Sequence, residues 1–196
     1  MTNKIPDFKT EDGLWAYRIT NENGERFFTR AGMLWHGLKQ RTNPNGTKQI
    51  KSPHYVGSIN MFKDFQSFAD WCQNQKGYSE GFQLDKDILC KGNKIYSEDT
   101  CIFVPQEINK LFTKRQSNRG LYPIGVTEDP SGLRASCQVG KGVSKFLGYF
   151  SSPELAFAAY KTFKENYIKQ QAELWKDKIS DSAYNALINY QVEITD

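Results

Sequence analysis

Histidine is nearly missing from this chain, which has two in 196 residues, His36 and His54. Any imidazole base would have to be one of them. Both lie upstream of the region where the other candidate groups gather, and nothing in the sequence brings either one to it. Cysteine is sparse and badly spaced for metal. Cys72, Cys90, Cys101 and Cys137 include no CxxC pair, so neither a zinc ribbon nor a disulfide framework is indicated. They read as buried thiols in a reducing cytosol. No run approaches the ~20 apolar residues that a membrane span needs, and the polar start MTNKIPDFKTEDG does not read as a signal peptide. The expected location is therefore cytoplasmic, with no membrane partner. Internal repeats and low-complexity tracts are also missing.

What is present is enough apolar material for a core. The hydrophobic fraction is 38% and the aromatic fraction 14%, which excludes a disordered tail. A chain of this length can form one core or two small domains. The net charge of +4 is mildly basic, which is compatible with a nucleic-acid partner.

Aromatic residues dominate Leu14 to Asn74. Trp15, Tyr17, Phe27, Phe28 and Trp35 suggest a short antiparallel unit followed by a helix over Arg30–Arg41. NPNGTKQIKS, residues 43–52, reads as a loop carrying Lys48 and Lys51. From Phe62 to Gln75, Phe65, Phe68, Ala69 and Cys72 fall at i, i+3, i+4 and i+7, a core-facing helical stripe widened by Trp71. Strands are predicted over Gly81–Leu89 and Thr100–Val104. A helix opened by Pro105 then runs to about Lys114 and carries Asn109 in its first turns. TKRQSNRG, residues 113–120, holds Lys114, Arg115 and Arg119 and no acid, as a basic linker facing DNA would. Strands over Pro123–Thr127, Leu133–Val139 and Lys145–Phe150 follow, then a helix from Ser152 with Pro153 at its first position and a packed helical tail.

The run LDKDILCKGNKIYSEDTCIFVPQEINKLF, Leu84 to Phe112, is a hairpin leading into a helix. It resembles the HNH, or ββα-metal, motif of phage homing endonucleases and colicin-type nucleases. The resemblance implies that Asp85 binds a divalent metal, that Asn109 in Val-Pro-Gln-x-Ile-Asn is the late helical ligand, and that Gly92-Asn93 form the turn. Asp87 would assist. The implied cofactor is Mg²⁺ or Mn²⁺, which needs only one or two carboxylates beside phosphate oxygens and waters. Two positions depart from the family. Lys86 stands where the general-base histidine is expected, and the middle asparagine position falls, by spacing, near Thr100. A lysine of ordinary pKa is protonated at neutral pH and cannot accept a proton.

From Tyr122 to about Lys161 the chain is similar to the plant ethylene-response-factor (AP-two) DNA-binding domain, which also occurs fused to phage HNH nucleases. The matching pieces are Ile124-Gly125-Val126, Leu133-Arg134-Ala135-Ser136-Cys137-Gln138, Phe146-Leu147-Gly148-Tyr149-Phe150 and the helix from Pro153 to Tyr160. The resemblance implies that one sheet face reads DNA through Thr127, Arg134, Ser136, Gln138, Phe146 and Tyr149, with Lys141 and Lys145 contacting phosphate at the turn. Alternation along the second strand agrees, since Ala135, Cys137 and Val139 interleave with Arg134, Ser136 and Gln138.

The expected fold class is α+β. An HNH-like domain over residues 1–112 carries the degenerate ββα motif. A basic linker spans 113–121. In 122–196 a three-stranded antiparallel sheet packs on one helix, with a helical extension. The expected function is metal-dependent hydrolysis of double-stranded DNA by a phage-type HNH-like endonuclease, acting in the host-cell cytoplasm, with Asp85, Lys86 and Asn109 at the catalytic centre. The alternative is an inactive HNH scaffold that binds DNA and acts by occupancy or recruitment. A module aimed at a host protein is a third reading.

Overall fold

A computed structural model describes residues 5–112, 121–140 and 142–194. Lys114, Arg115, Arg119 and Lys141 lie outside the described residues. The chain is mixed α+β and divides into two compact units, Met1–Phe103 and Val104–Asp196. Among the described residues no helix is long and apolar enough to cross a membrane.

In the first unit β1 (Arg18–Thr20) and β2 (Arg26–Phe28) form an antiparallel hairpin, and α1 (Arg30–Thr42) follows directly. Thr29 caps α1 by accepting the Gly32 amide, and its own hydroxyl donates to the Ala16 carbonyl at 2.7 Å, tying helix to hairpin. The predicted 43–52 loop contains one turn of helix, α2 (Thr47–Lys51). Composition hides it, because what holds it is distant in sequence: Gln49 is buried and its amide donates to the Arg41 carbonyl at 2.9 Å. α3 (Phe65–Gln73) starts on a capping box between Asp64 and Ser67. Its expected stripe is the core. Phe68, Ala69 and Cys72 are fully buried, and Trp35, Leu38, Phe62, Trp71, Tyr78 and Phe103 pack with them.

The predicted strand over Gly81–Leu89 is much shorter, β4 (Gln83–Asp85), and it pairs with β6 (Ile102–Val104). Between them the chain makes a further strand, β5 (Ile95–Tyr96), which pairs in parallel with β3 (Ile59–Asn60). Three of the four cysteines are buried as expected, whereas Cys90 is exposed. It sits in this connecting loop, which is held by polar groups and gives its side chain no core to enter.

The second unit opens with α4 (Gln106–Leu111), packed against α5 (Pro153–Trp175) and β8 (Gly132–Gly140). β7 (Val126–Asp129), β8 and β9 (Val143–Phe150) form an antiparallel sheet in that order. One face lies on α5, whose buried residues Ala156, Tyr160, Lys164, Ile168 and Ala172 recur every fourth position. Ser152 caps α5 by accepting the Leu155 amide, and Pro153 occupies its first turn. The predicted helical continuation breaks after Trp175 and resumes as α6 (Asp181–Ile188), which packs on α5.

Lys164 is an anomaly in the α5 stripe, since it is 9% exposed. Burial holds its amine below the ordinary lysine value, with Cys137 opposing. The folded form therefore binds this proton less tightly than the unfolded chain. Stability should rise as pH climbs from the folded towards the unfolded value. Lys164→Met is expected to raise stability at neutral pH by roughly 1 kcal/mol, and to abolish that alkaline rise. Thermal unfolding across a pH series checks both.

Candidate nucleic-acid interface

The loop between β4 and β5 is organised by three polar side chains. Asp85 Oδ1 accepts the amides of Asp87 and Ile88, each at 2.8 Å, so its carboxylate closes the turn that ends β4. Burial pushes this carboxyl above the ordinary aspartate value, against the pull of the two amides. Asn93 Nδ2 donates to the carbonyls of Lys86 at 3.0 Å and Ile95 at 2.6 Å, and its Oδ1 accepts the Ile95 amide at 2.9 Å. It pins the loop at both ends. Thr100 braces the returning chain, donating to the Ile95 carbonyl at 2.8 Å and accepting the Ser97 amide at 3.1 Å.

Lys86, expected at the catalytic centre, points inward. It is buried, with Nζ 2.6 Å from Asp87 Oδ1, bonded to the Asn93 carbonyl and 5.7 Å from the centre of the Tyr96 ring. These contacts make it a strut of the loop and leave its ammonium group turned away from solvent. Lys86→Ala is expected to cost roughly 2 kcal/mol, the worth of charge-assisted hydrogen bonds at a buried site. Chemical denaturation measures it.

The residues expected to hold the metal fit one poorly. Asp85 can offer only the oxygen not used by the turn, and burial disfavours its charged form. Asp87, half exposed, is already paired with Lys86, so a cation there would compete with an ammonium group. Asn109 lies in the short helix α4.

The structure gathers different groups at the same loop. The β3–β5 pairing draws the helical turn Pro53–Tyr55 onto the start of β5, where Lys94 Nζ donates to the His54 carbonyl at 2.6 Å. The exposed His54 ring lies 4.0 Å from that of Tyr55. Arg41 stands 5.7 Å from the Tyr55 ring and hydrogen-bonds the Tyr96 side chain. Partial burial, then Lys94 and Lys86, hold the His54 imidazole below its ordinary value. Lys48 adds to this and Asp87 opposes it. Sequence reading missed this grouping because its members are scattered from Arg41 to Tyr96. His36 is elsewhere, stacked on Phe28 at 5.0 Å.

In the C-terminal sheet, Thr127 opposes Arg134, and Arg134 opposes Tyr149, making one cross-strand row. Ser136 opposes Phe146, and Gln138 opposes Ser144. These side chains share the face turned away from α5, while Val126, Ala135, Leu133, Leu147 and Phe150 pack on the other side around Ala156. Strict alternation would put Phe146 and Tyr149, three residues apart, on opposite faces. A register shift between Ala135 and Ser136 prevents that. It inserts Leu147 on the helix side beside Gly148, which takes φ +134°.

Phe146 and Tyr149 are thereby 46% and 48% exposed, with ring centres 5.3 Å apart. The Arg134 guanidinium lies 5.4 Å from the Phe146 ring, and its Nε is buried with no hydrogen-bond partner. The Tyr149 hydroxyl donates to Asp129 at 3.1 Å, and the Gln138 amide to the Gly140 carbonyl at 3.2 Å. Lys145 opposes Cys137, so it shares the register of the α5 face and does not join the Arg134 row, although it is exposed at the sheet's end.

Searches of protein-family models, curated proteins and solved structures find no match to this chain.

Proposed function

We propose that this protein binds double-stranded DNA through the outer face of β7–β8–β9 and acts by occupancy or recruitment. The observation that carries this reading is the paired exposure of Phe146 and Tyr149 beside Arg134. Two large aromatic rings on one solvent-facing sheet surface bury little within the unit, and an arginine fork beside the Phe146 ring suits base edges and phosphates. A two- or three-stranded sheet is narrow enough to enter the major groove.

A second reading, metal-dependent hydrolysis of the bound duplex, is supported by the asparagine-pinned loop, which has the role that the HNH resemblance implies for Asn93. One experiment separates the two. Plasmid DNA is incubated with the protein and Mg²⁺ or Mn²⁺, beside Asp85→Asn and Asn109→Ala. The Asp85→Asn side chain keeps an oxygen to accept both turn amides, so it removes the charge without opening the loop. Because the carboxyl is raised by burial, its folded form is favoured at low pH and penalised as pH rises. The variant should be as stable as the parent, or more so, at neutral pH. Nicking lost in both variants establishes hydrolysis. Salt-sensitive binding with no nicking leaves occupancy as the function. No duplex binding at low salt overturns both readings.

A further inference from the structure

The two exposed rings of the C-terminal sheet offer apolar surface and no hydrogen bond. Phe146 and Tyr149 meet edge to face, with ring centres 5.3 Å apart and planes at 61°. The Tyr149 hydroxyl is already engaged, donating to Asp129 Oδ2 at 3.1 Å. Asp129 is itself fixed at the turn after β7, where its other oxygen accepts the Ser131 amide at 2.8 Å. Tyr149 therefore presents a ring edge and not a free donor. On the other side of Phe146 stands the Arg134 guanidinium, 5.4 Å from the ring centre, with its Nε buried. One charged fork thus borders an apolar surface made of two side chains.

Few groups of a DNA duplex suit that surface. The bases are stacked on one another, so their ring faces are not available. The floor of the major groove carries hydrogen-bond acceptors and donors and a single kind of apolar group, the C5-methyl of thymine. A ring laid over an acceptor or a donor would remove its water and return no hydrogen bond, which is unfavourable. A ring laid over the methyl takes apolar area out of water on both partners. Deoxyribose also has an apolar face, but packing there is blind to the base.

We propose that Phe146 and Tyr149 read the C5-methyl groups of thymine, so that the sheet selects duplexes carrying a methylated pyrimidine beside the base pair that Arg134 contacts. This rests on the duplex-binding reading above and supplies the base chemistry of the same surface. The methyl contact is apolar and releases no counterions. Total affinity should therefore fall with salt while the preference for the methyl stays constant.

The test changes the DNA before it changes the protein. Duplexes with a random centre are bound to the full-length protein, recovered and sequenced. The tightest recovered duplex is then remade with uracil in place of each thymine, which deletes one methyl and keeps every pairing group. Fluorescence anisotropy at two salt concentrations gives the affinities. The expected result is one or two thymines whose exchange weakens binding about fourfold each, the worth of one buried methyl group. That ratio should be the same at both salts. Phe146→Ala and Tyr149→Ala should each lower it, and the double variant should bring it to one. Tyr149→Phe keeps the ring and loses only the bond to Asp129, so it should retain the preference. The parent's result does not depend on any variant folding, and circular dichroism melting checks the variants.

The outcomes separate this proposal from the reading beneath it. Duplex binding with no preferred thymine, or with uracil tolerated at every position, overturns methyl reading and leaves duplex binding in place. A thymine preference that survives intact in the double variant assigns the methyl to other side chains and also overturns it. Tighter binding to the single strand than to its duplex would mean that the rings stack on bases instead. No duplex binding at low salt sinks both readings together.

Discussion

Gly125→Ala is expected to lower the melting temperature of the second unit by well over 10 °C. Gly125 takes φ +80°, and a Cβ built there would stand 2.1 Å from the Tyr160 ring. Both terms act in the same direction. The left-handed backbone costs a side chain about 1–2 kcal/mol, and overpacking in a core costs about 1–3 kcal/mol more. Tyr160 is 6% exposed and belongs to the buried stripe of α5, so it has little room to move aside. One kcal/mol is worth roughly 4–8 °C for a domain of this size. The Gly125 carbonyl also accepts the Ser136 amide at 2.9 Å, so a displaced backbone would disturb the start of β7 and the middle of β8 together. Circular dichroism melting measures the effect. A variant melting within a few degrees of the parent would mean that the close approach of Gly125 to Tyr160 is not needed for the fold.

Removing the aromatic pair should have the largest effect on binding. Phe146→Ala/Tyr149→Ala is expected to weaken duplex affinity by at least 100-fold, and Arg134→Ala by roughly 10- to 100-fold, the range of about 1–3 kcal/mol that one good base contact supplies. Arg134→Lys should fall between Arg134→Ala and the parent, because it keeps the charge but loses the planar fork that lies beside Phe146. Fluorescence anisotropy with a labelled duplex at fixed salt gives the ratios. None of these side chains belongs to the cluster around Val126, Ala135 and Ala156, so the variants should keep the parent's melting temperature within a few degrees. Unchanged affinity in the aromatic double variant would remove the sheet from the binding surface.

The elements that could be read directly are those written by local pattern. α3 shows its core stripe in the spacing of Phe65, Phe68, Ala69 and Cys72, and α5 shows its start in Ser152-Pro153. The three C-terminal strands follow from alternation and glycine turns, and they are in place to within a few residues. In the candidate sites the placements that local pattern did not show are equally specific. Lys86 stands where the HNH resemblance expects a general-base histidine, and the loop turns it inward onto Asp87 and the Asn93 carbonyl. Lys145, expected to contact phosphate at the turn, opposes Cys137 and is exposed near that end of the sheet.

The sequence by itself determined the class of the fold, the apolar stripes that become its cores and the composition of the sheet's polar face. Each of these depends on residues within one or two turns of one another, where period and capping chemistry act. The tertiary structure decided which polar groups meet. The parallel pairing of β3 with β5 brought His54 to Lys94, forty residues away. One inserted residue in β9 put Phe146 and Tyr149 on the same face. Long-range pairing and register have no local signature, because their free energy comes from contacts that exist only once the chain has closed on itself.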